Sequence, residues 1–321
     1  MILGASYNVF DGEELLESSI SCIRKNVDFI CIVYQNTSNF GEKRNDLEPI
    51  LEDLRIRGLV DYIYCYEPKN KMGKRVGEFN EICKRNIGKE ICVKVGKCSH
   101  HITLDCDEMF VESEFAWAKE QVIKGDYDTS YLPFTNYYKK PTLQIKVDEK
   151  NGYFAYISFI IKCDERNYGT GATPVIVDGT RGVICRRYHI FNREDIIMHH
   201  YSWLRGSEKS LRRKLNNTSF KQHEAMESGV EKIVSKYLNY KDGDKATIFW
   251  MNGAKEEELE IVAVLIEEEP AVAQAVEEFV ERAAKDDSEE YTLADAIVEV
   301  QTEEFFADPI KAIIDIKIEP I

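Results

Sequence analysis

Along the first half of the chain, continuous apolar runs alternate with amphipathic stretches. Asp28-Phe-Ile-Cys-Ile-Val-Tyr34 is apolar throughout after its first residue, which predicts a strand covered on both faces. Upstream, Leu15, Leu16, Ser19, Ile20 and Ile23 recur at helical spacing within Asp11–Lys25, behind acids in the first turn. The same reading predicts a polar loop over Gln35–Gly41, a helix over about Arg44–Arg57 and a strand over Leu59–Tyr66. A helix over Val76–Ile87, a short strand at Ile102–Leu104 and a helix from about Val111 to Lys124 follow. Strand and helix alternating at this spacing predict an α/β fold, a mostly parallel sheet with helices on both faces. Ligands of such sheets bind at the carboxyl edge of the strands.

The pattern then changes. Leu143–Val147, Tyr153–Ile161, Val175–Val177 and Gly182–Tyr188 predict strands separated by Gly and Pro turns, with Tyr168–Pro174 as a loop. After Ile196–Trp203 come two helical stretches that end near Tyr240. Farther on, Glu260–Ile266 and Ile314–Ile318 have strand character, and Val272, Ala275, Val276, Phe279, Val280 and Ala283 form a helical stripe.

Charge divides the chain at the same place. The net charge of −15 is made of −16 in residues 246–321 and +1 in residues 1–245. All nine cysteines and all six histidines lie before the acidic segment. Two composition regimes predict two units: residues 1–243 as the main domain and 244–321 as a small acidic α+β module suited to self-association or a protein partner. At 44% apolar residues the chain is globular, neither disordered nor fibrous. Apolar runs as short as Ile261–Ile266 predict no membrane span, and the opening residues carry no basic, apolar leader, so a cytoplasmic location is expected, in a bacterium or a phage-infected host. No C-x-x-C occurs, and Cys22, Cys31, Cys65, Cys92 and Cys185 sit among apolar neighbours, which predicts free buried thiols.

Candidate chemistry centres on Thr103-Leu-Asp-Cys-Asp-Glu-Met-Phe110. Asp105 and Asp107 stand two apart where an apolar strand gives out, so both carboxylates are expected to point one way at the sheet edge. Such hard oxygen ligands suit Mg2+ or Mn2+, which in turn neutralises a diphosphate. The plainer reading is an acidic turn, with Glu108 and Glu112 favouring the N-terminus of the following helix.

The chain opens Ala5-Ser-Tyr-Asn-Val-Phe-Asp-Gly-Glu-Glu-Leu-Leu-Glu-Ser-Ser-Ile20, then Val27-Asp-Phe-Ile-Cys-Ile-Val-Tyr-Gln-Asn-Thr-Ser-Asn39. With D-x-D about a hundred residues in, and His199-His-Tyr-Ser-Trp-Leu-Arg205 and Lys214-Leu-Asn-Asn-Thr-Ser219 after it, residues 1–240 resemble family-2-like glycosyltransferases of the GT-A fold, of phage and bacterial type. The resemblance implies a GT-A-like (Rossmann-like) sheet and a nucleoside-diphosphate sugar as donor. It implies that Tyr7 and Asn8 hold the nucleotide base. Many members carry an acid after the second strand, where this chain has Gln35. Asp105 is implied beside the ribose or sugar and as a metal ligand, Asp107 as a metal ligand, and His200 (or His199) as the histidine that completes a Mn2+ or Mg2+ site. Arg205, Lys209, Arg212 and Arg213 form one basic helical face that serves a diphosphate or a polyanionic acceptor, or is simply solvated.

An inverting transferase needs a carboxylate base, for which Asp178 and Glu165 are the candidates. The leading expectation is a metal-dependent hexosyl- or pentosyltransferase acting on a hydroxyl of a glycan or similar acceptor. The alternatives are the same chemistry on a hydroxymethylated nucleic-acid base, and a non-catalytic binding protein on a degenerate transferase fold. A sugar-1-phosphate nucleotidyltransferase shares the layout, but its Gly-rich, Arg- and Lys-bearing opening loop is absent. His100 and His101 are expected to pack rather than to bind metal; His189 and His223 have no visible partner.

Overall fold

The first strand, β1 (Leu3–Val9), is buried at all seven positions because each face receives its own helices. Ala5, Tyr7 and Val9 share one apolar cluster with Leu16 and Ile20 of α1 (Glu13–Ile23), Leu51 of α2 (Leu47–Ile56) and Phe115 of α4 (Glu112–Gly125). The other face takes α3 (Val76–Lys94), whose Ile87, Ile91 and Cys92 pack on Cys31 and Val33 of β2 (Phe29–Tyr34). Gly88 permits that approach, since a Cβ there would collide with Ser6. In the computed structural model, residues 1–69, 76–146, 156–169, 173–218, 224–249, 256–259 and 261–263 are described.

β2, β3 (Tyr62–Cys65) and β4 (His100–Asp105) run parallel to β1 in the order β3-β2-β1-β4. Antiparallel β8 (Tyr156–Lys162) follows β4, and then β6 (Thr129–Tyr138), β7 (Lys140–Ile145) and β13 (Ile261–Ala263) complete the path. This is the helix-covered α/β sheet that the alternation predicted.

β6 was not predicted, although all ten of its residues are buried. Its Thr, Ser and Asn residues blur the alternation, and a proline argues against a central strand. Pro133 falls where β6 exchanges partners. Residues 129–131 pair with β9 (Tyr188–Ile190), and from Phe134 onward the partner is β10 (Met198–Trp203). The predicted strand at Gly182–Tyr188 contributes only its last residue to β9, and Val175–Val177 contributes a single bridge, Val177 to Tyr156.

A second apolar cluster joins α5 (Glu208–Asn217) and α6 (Glu224–Leu238) to the long strands, through Leu211, Leu215, Ile233, Val234, Tyr138 and Trp203. Ala246, beyond the expected 243/244 boundary, is buried in it. β11 (Ala246–Phe249) pairs with β12 (Glu256–Leu259), and β13 extends the main sheet on β7. The apolar stripe at 272–283 and the strand at 314–318 lie outside the described residues.

All nine cysteines are free. Cys31, Cys92, Cys98 and Cys106 are buried, whereas Cys65 is exposed because β3 is the edge strand, and Cys22 and Cys185 are half-buried. No helix among the described residues is long and apolar enough to cross a membrane.

Candidate active site

The site forms where β1 and β4 end side by side, with Asn8 opposite Asp105. The chain then turns through Cys106 and Asp107 into the short strand β5 (Glu108–Met109). β5 pairs antiparallel with β10, setting His200 opposite Glu108, while β10 lies parallel to β6 with His200 opposite Asn136. Residues about a hundred positions apart in sequence thereby line one cleft of about 270 Å³.

Asp107, only 5% exposed, is the hub. Its Oδ1 lies 3.4 Å from His200 Nε2, and its Oδ2 accepts from Arg205 Nη2 at 2.9 Å and Lys214 Nζ at 3.3 Å. Burial works against its charge, but Lys214, His200 and Arg205 outweigh that and hold the carboxyl well below its usual range. His200 Nδ1 lies 2.7 Å from Asn136 Oδ1. With Nδ1–H donating there, the ring turns Nε2 toward the Asp107 carboxylate.

Asp105 belongs to a different constellation. It accepts from Arg181 Nη2 at 2.7 Å and Arg85 Nη2 at 3.2 Å. Burial disfavours its charge, yet the two guanidiniums hold it well below its usual range. The expected ligand set of Asp105, Asp107 and His200 does not assemble: no group of three His, Cys, Asp or Glu side chains fit to hold a metal occurs among the described residues. The reason is local. β4 ends at Asp105, so the strand alternation that would align the two carboxylates stops between them. Of the three, Asp107 and His200 stand together, 3.4 Å apart.

Glu108 does not serve a helix N-terminus. It is buried in β5, where Arg181 Nη1 donates to Oε2 at 3.0 Å and Nη2 to Oε1, and Asp105 N donates to Oε2 at 3.0 Å. Burial and the charge of Asp105 raise its pKa, with Arg181 opposing. Arg85 also binds Thr180 Oγ1 and Thr103 Oγ1, so two buried arginines tie the 178–181 turn to the strand end.

The other predicted residues separate cleanly. Asn8 and Gln35 line the cleft. Asn8 Nδ2 donates to Glu81 Oε2 at 3.1 Å, and the buried carbonyl oxygens Asn8 Oδ1 and Gln35 Oε1 have no partner among the described residues. Tyr7 instead points into the core, its hydroxyl 3.2 Å from Ser19 Oγ, because odd positions of β1 face α1. His199 packs against Tyr137 and Tyr201, with Nδ1 2.8 Å from Tyr137 Oη, and burial lowers its pKa to about 4. Asp178 is half-buried on the cleft, held by Thr180 N to Oδ1 at 2.8 Å. Glu165 is exposed and does not line it. Arg205 is sealed behind Asp107, tied also to Ser202 O at 3.1 Å. Farther along the basic face, Arg212 pairs with Glu208 and Glu231, and Arg213 with Glu13.

Arg85, Arg181, Asn136 and Glu81 were not singled out from the sequence, and Lys214 entered only as the first residue of the motif at 214–219. α3 did carry a signal, since Asn80, Lys84 and Arg85 fall in phase with the apolar stripe of Ile87 and Ile91. Charged side chains on the inward stripe of a helix require buried partners. Arg181, alone in a Gly-Thr-Arg-Gly turn, carried none.

Neither a protein family nor a curated relative matches the sequence. Among solved structures, S. aureus TarS 1–349 is similar over 74% of this chain and 71% of that one, at 9% identity and TM-score 0.39. The same TarS fragment in complex with UDP-GlcNAc gives TM-score 0.38 over 74% and 72% of the two chains, at 9% identity. GalNAc-T7 with UDP, GalNAc and Mn2+ gives 0.38 at 12% identity, over 76% of this chain and 52% of that one. Scores this low carry nothing about donor or acceptor.

Proposed function

We propose that this protein is a metal-dependent glycosyltransferase that moves a sugar from a nucleoside-diphosphate donor to a hydroxyl of a glycan or similar acceptor. The observation that carries the reading is the Asp107–His200 pair, 3.4 Å apart at the carboxyl edge of parallel strands, with Lys214 beside it on an open cleft. Mn2+ or Mg2+ held by Asp107 and His200 would supply positive charge to the departing diphosphate.

The chain's own residues divide the remaining work. Asn8 and Gln35 offer partnerless carbonyl oxygens to the N–H edge of the base. Asp105, kept ionised by Arg85 and Arg181, accepts from donor hydroxyls. Asp178, on the cleft, would take the proton of the attacking acceptor hydroxyl in an inverting reaction. Phe134, Ile157 and Met198 give the cleft an apolar wall.

The test is a screen of nucleotide sugars for Mn2+-dependent release of nucleoside diphosphate, repeated with Asp107→Asn. Release by the unaltered chain and its loss in the variant are expected, with circular dichroism showing that the variant is still folded. Full activity of Asp107→Asn refutes the metal assignment, and no release from any donor refutes the transferase.

A further inference from the structure

Two cations share Asp107 Oδ2, and they differ in freedom. Arg205 has a fully buried side chain, fixed also by Ser202 O and by Glu14 at 3.5 Å. Lys214 is 21% exposed, lines the cleft, and lies 3.3 Å from Oδ2, longer than a tight charge-assisted bond. It stands on the last turn of α5, a helix anchored by buried Leu211 and Leu215 and by Ser207 Oγ accepting from Ser210 N. A rigid base with one flexible ammonium facing the cleft is the arrangement of a cation that changes partners.

We propose that Lys214 is the diphosphate-binding cation of this cleft, and that its pairing with Asp107 is a resting contact given up when a divalent ion and a diphosphate enter together. The inference rests on the transferase reading. In the free protein Asp107 already has Arg205, so losing Lys214 leaves its charge compensated. A diphosphate carries more negative charge than one carboxylate shared by two cations and draws the ammonium more strongly. Conversely, while Lys214 stays on Asp107, it repels a divalent ion approaching the Asp107 and His200 donors. Lys214 therefore opposes metal alone and favours diphosphate, two effects of opposite sign.

Titration calorimetry on the full chain separates them, using Mn2+ alone and then inorganic pyrophosphate at saturating Mn2+. Lys214→Gln is expected to bind Mn2+ about tenfold more tightly, because a like charge a few ångströms away is removed. The same variant is expected to bind pyrophosphate about tenfold more weakly, through loss of a charge-assisted contact. Lys214→Arg, which keeps the charge, is expected to retain the wild-type Mn2+ affinity, and both variants to melt with the wild type. A Lys214→Gln protein that binds both probes as the wild type does, or whose two affinities move in the same direction, overturns the role of Lys214 alone. A wild-type chain that binds neither probe overturns the transferase reading with it.

Discussion

Arg181→Met tests whether the carboxylates at the strand end depend on a buried counter-charge. The Arg181 and Glu108 side chains are each 3% exposed, and Arg181 holds both oxygens of Glu108. Arg85 reaches Asp105 and takes over there, but Glu108 is left with the single donor Asp105 N. Stranding one partner of a buried pair costs about 3–5 kcal/mol. That is a large part of the roughly 5–15 kcal/mol that keeps a domain folded. The loss should depend on pH. Without Arg181 the folded pKa of Glu108 rises further above its unfolded value of about 4.3, so the folded state holds the extra proton. Destabilisation is then full at neutral pH and shrinks as pH falls through the raised value toward about 4.3. Adding Glu108→Leu removes the stranded charge, so the double variant should be more stable than Arg181→Met at pH 7.5. Urea unfolding followed by tryptophan fluorescence, to which the buried Trp203 contributes, measures all three, with a midpoint shift of about 1 M or more expected for the single variant. A loss under about 1 kcal/mol, smaller than buried pairs show, or a loss that is independent of pH, refutes the reasoning. So does a double variant no more stable than the single one.

Asp178→Asn should lower turnover by about 10²–10⁴-fold while leaving nucleoside-diphosphate affinity unchanged, as loss of a general base does; near-wild-type turnover would remove Asp178 from the chemistry. A chain cut after residue 245 loses buried Ala246 and the β13 partner of β7. It should melt below a chain cut after residue 263, by about 2–4 °C for each kcal/mol lost, and equal melting temperatures would show that these strands add nothing. Duplex DNA, plain or hydroxymethylated, should not bind appreciably at physiological salt, because Arg212 and Arg213 are already paired with acids. Tight, salt-sensitive binding in an anisotropy titration, lost on Arg212→Ala with Arg213→Ala, would instead favour a nucleic-acid acceptor.

Taken alone, the sequence was enough for the layered core. The run at 28–34 could be satisfied only by burial on both faces, and the stripe of α1 told which of its residues meet the sheet, because period and polarity are properties of neighbours in the chain. It also pointed to Asp105 and Asp107 as residues at a strand end, and to one of two adjacent histidines. Tertiary structure decided the rest. Pairing of β10 with β5 and β6 turns His200 to the cleft and His199 to Tyr137, a choice of register that no local pattern contains. Asp105 and Asp107 have different partners because Arg85, Arg181, Arg205 and Lys214 arrive from α3, a turn, a strand end and α5. A carboxylate's partner is fixed by distance in space, and distance in space between remote segments is set only when the sheet closes.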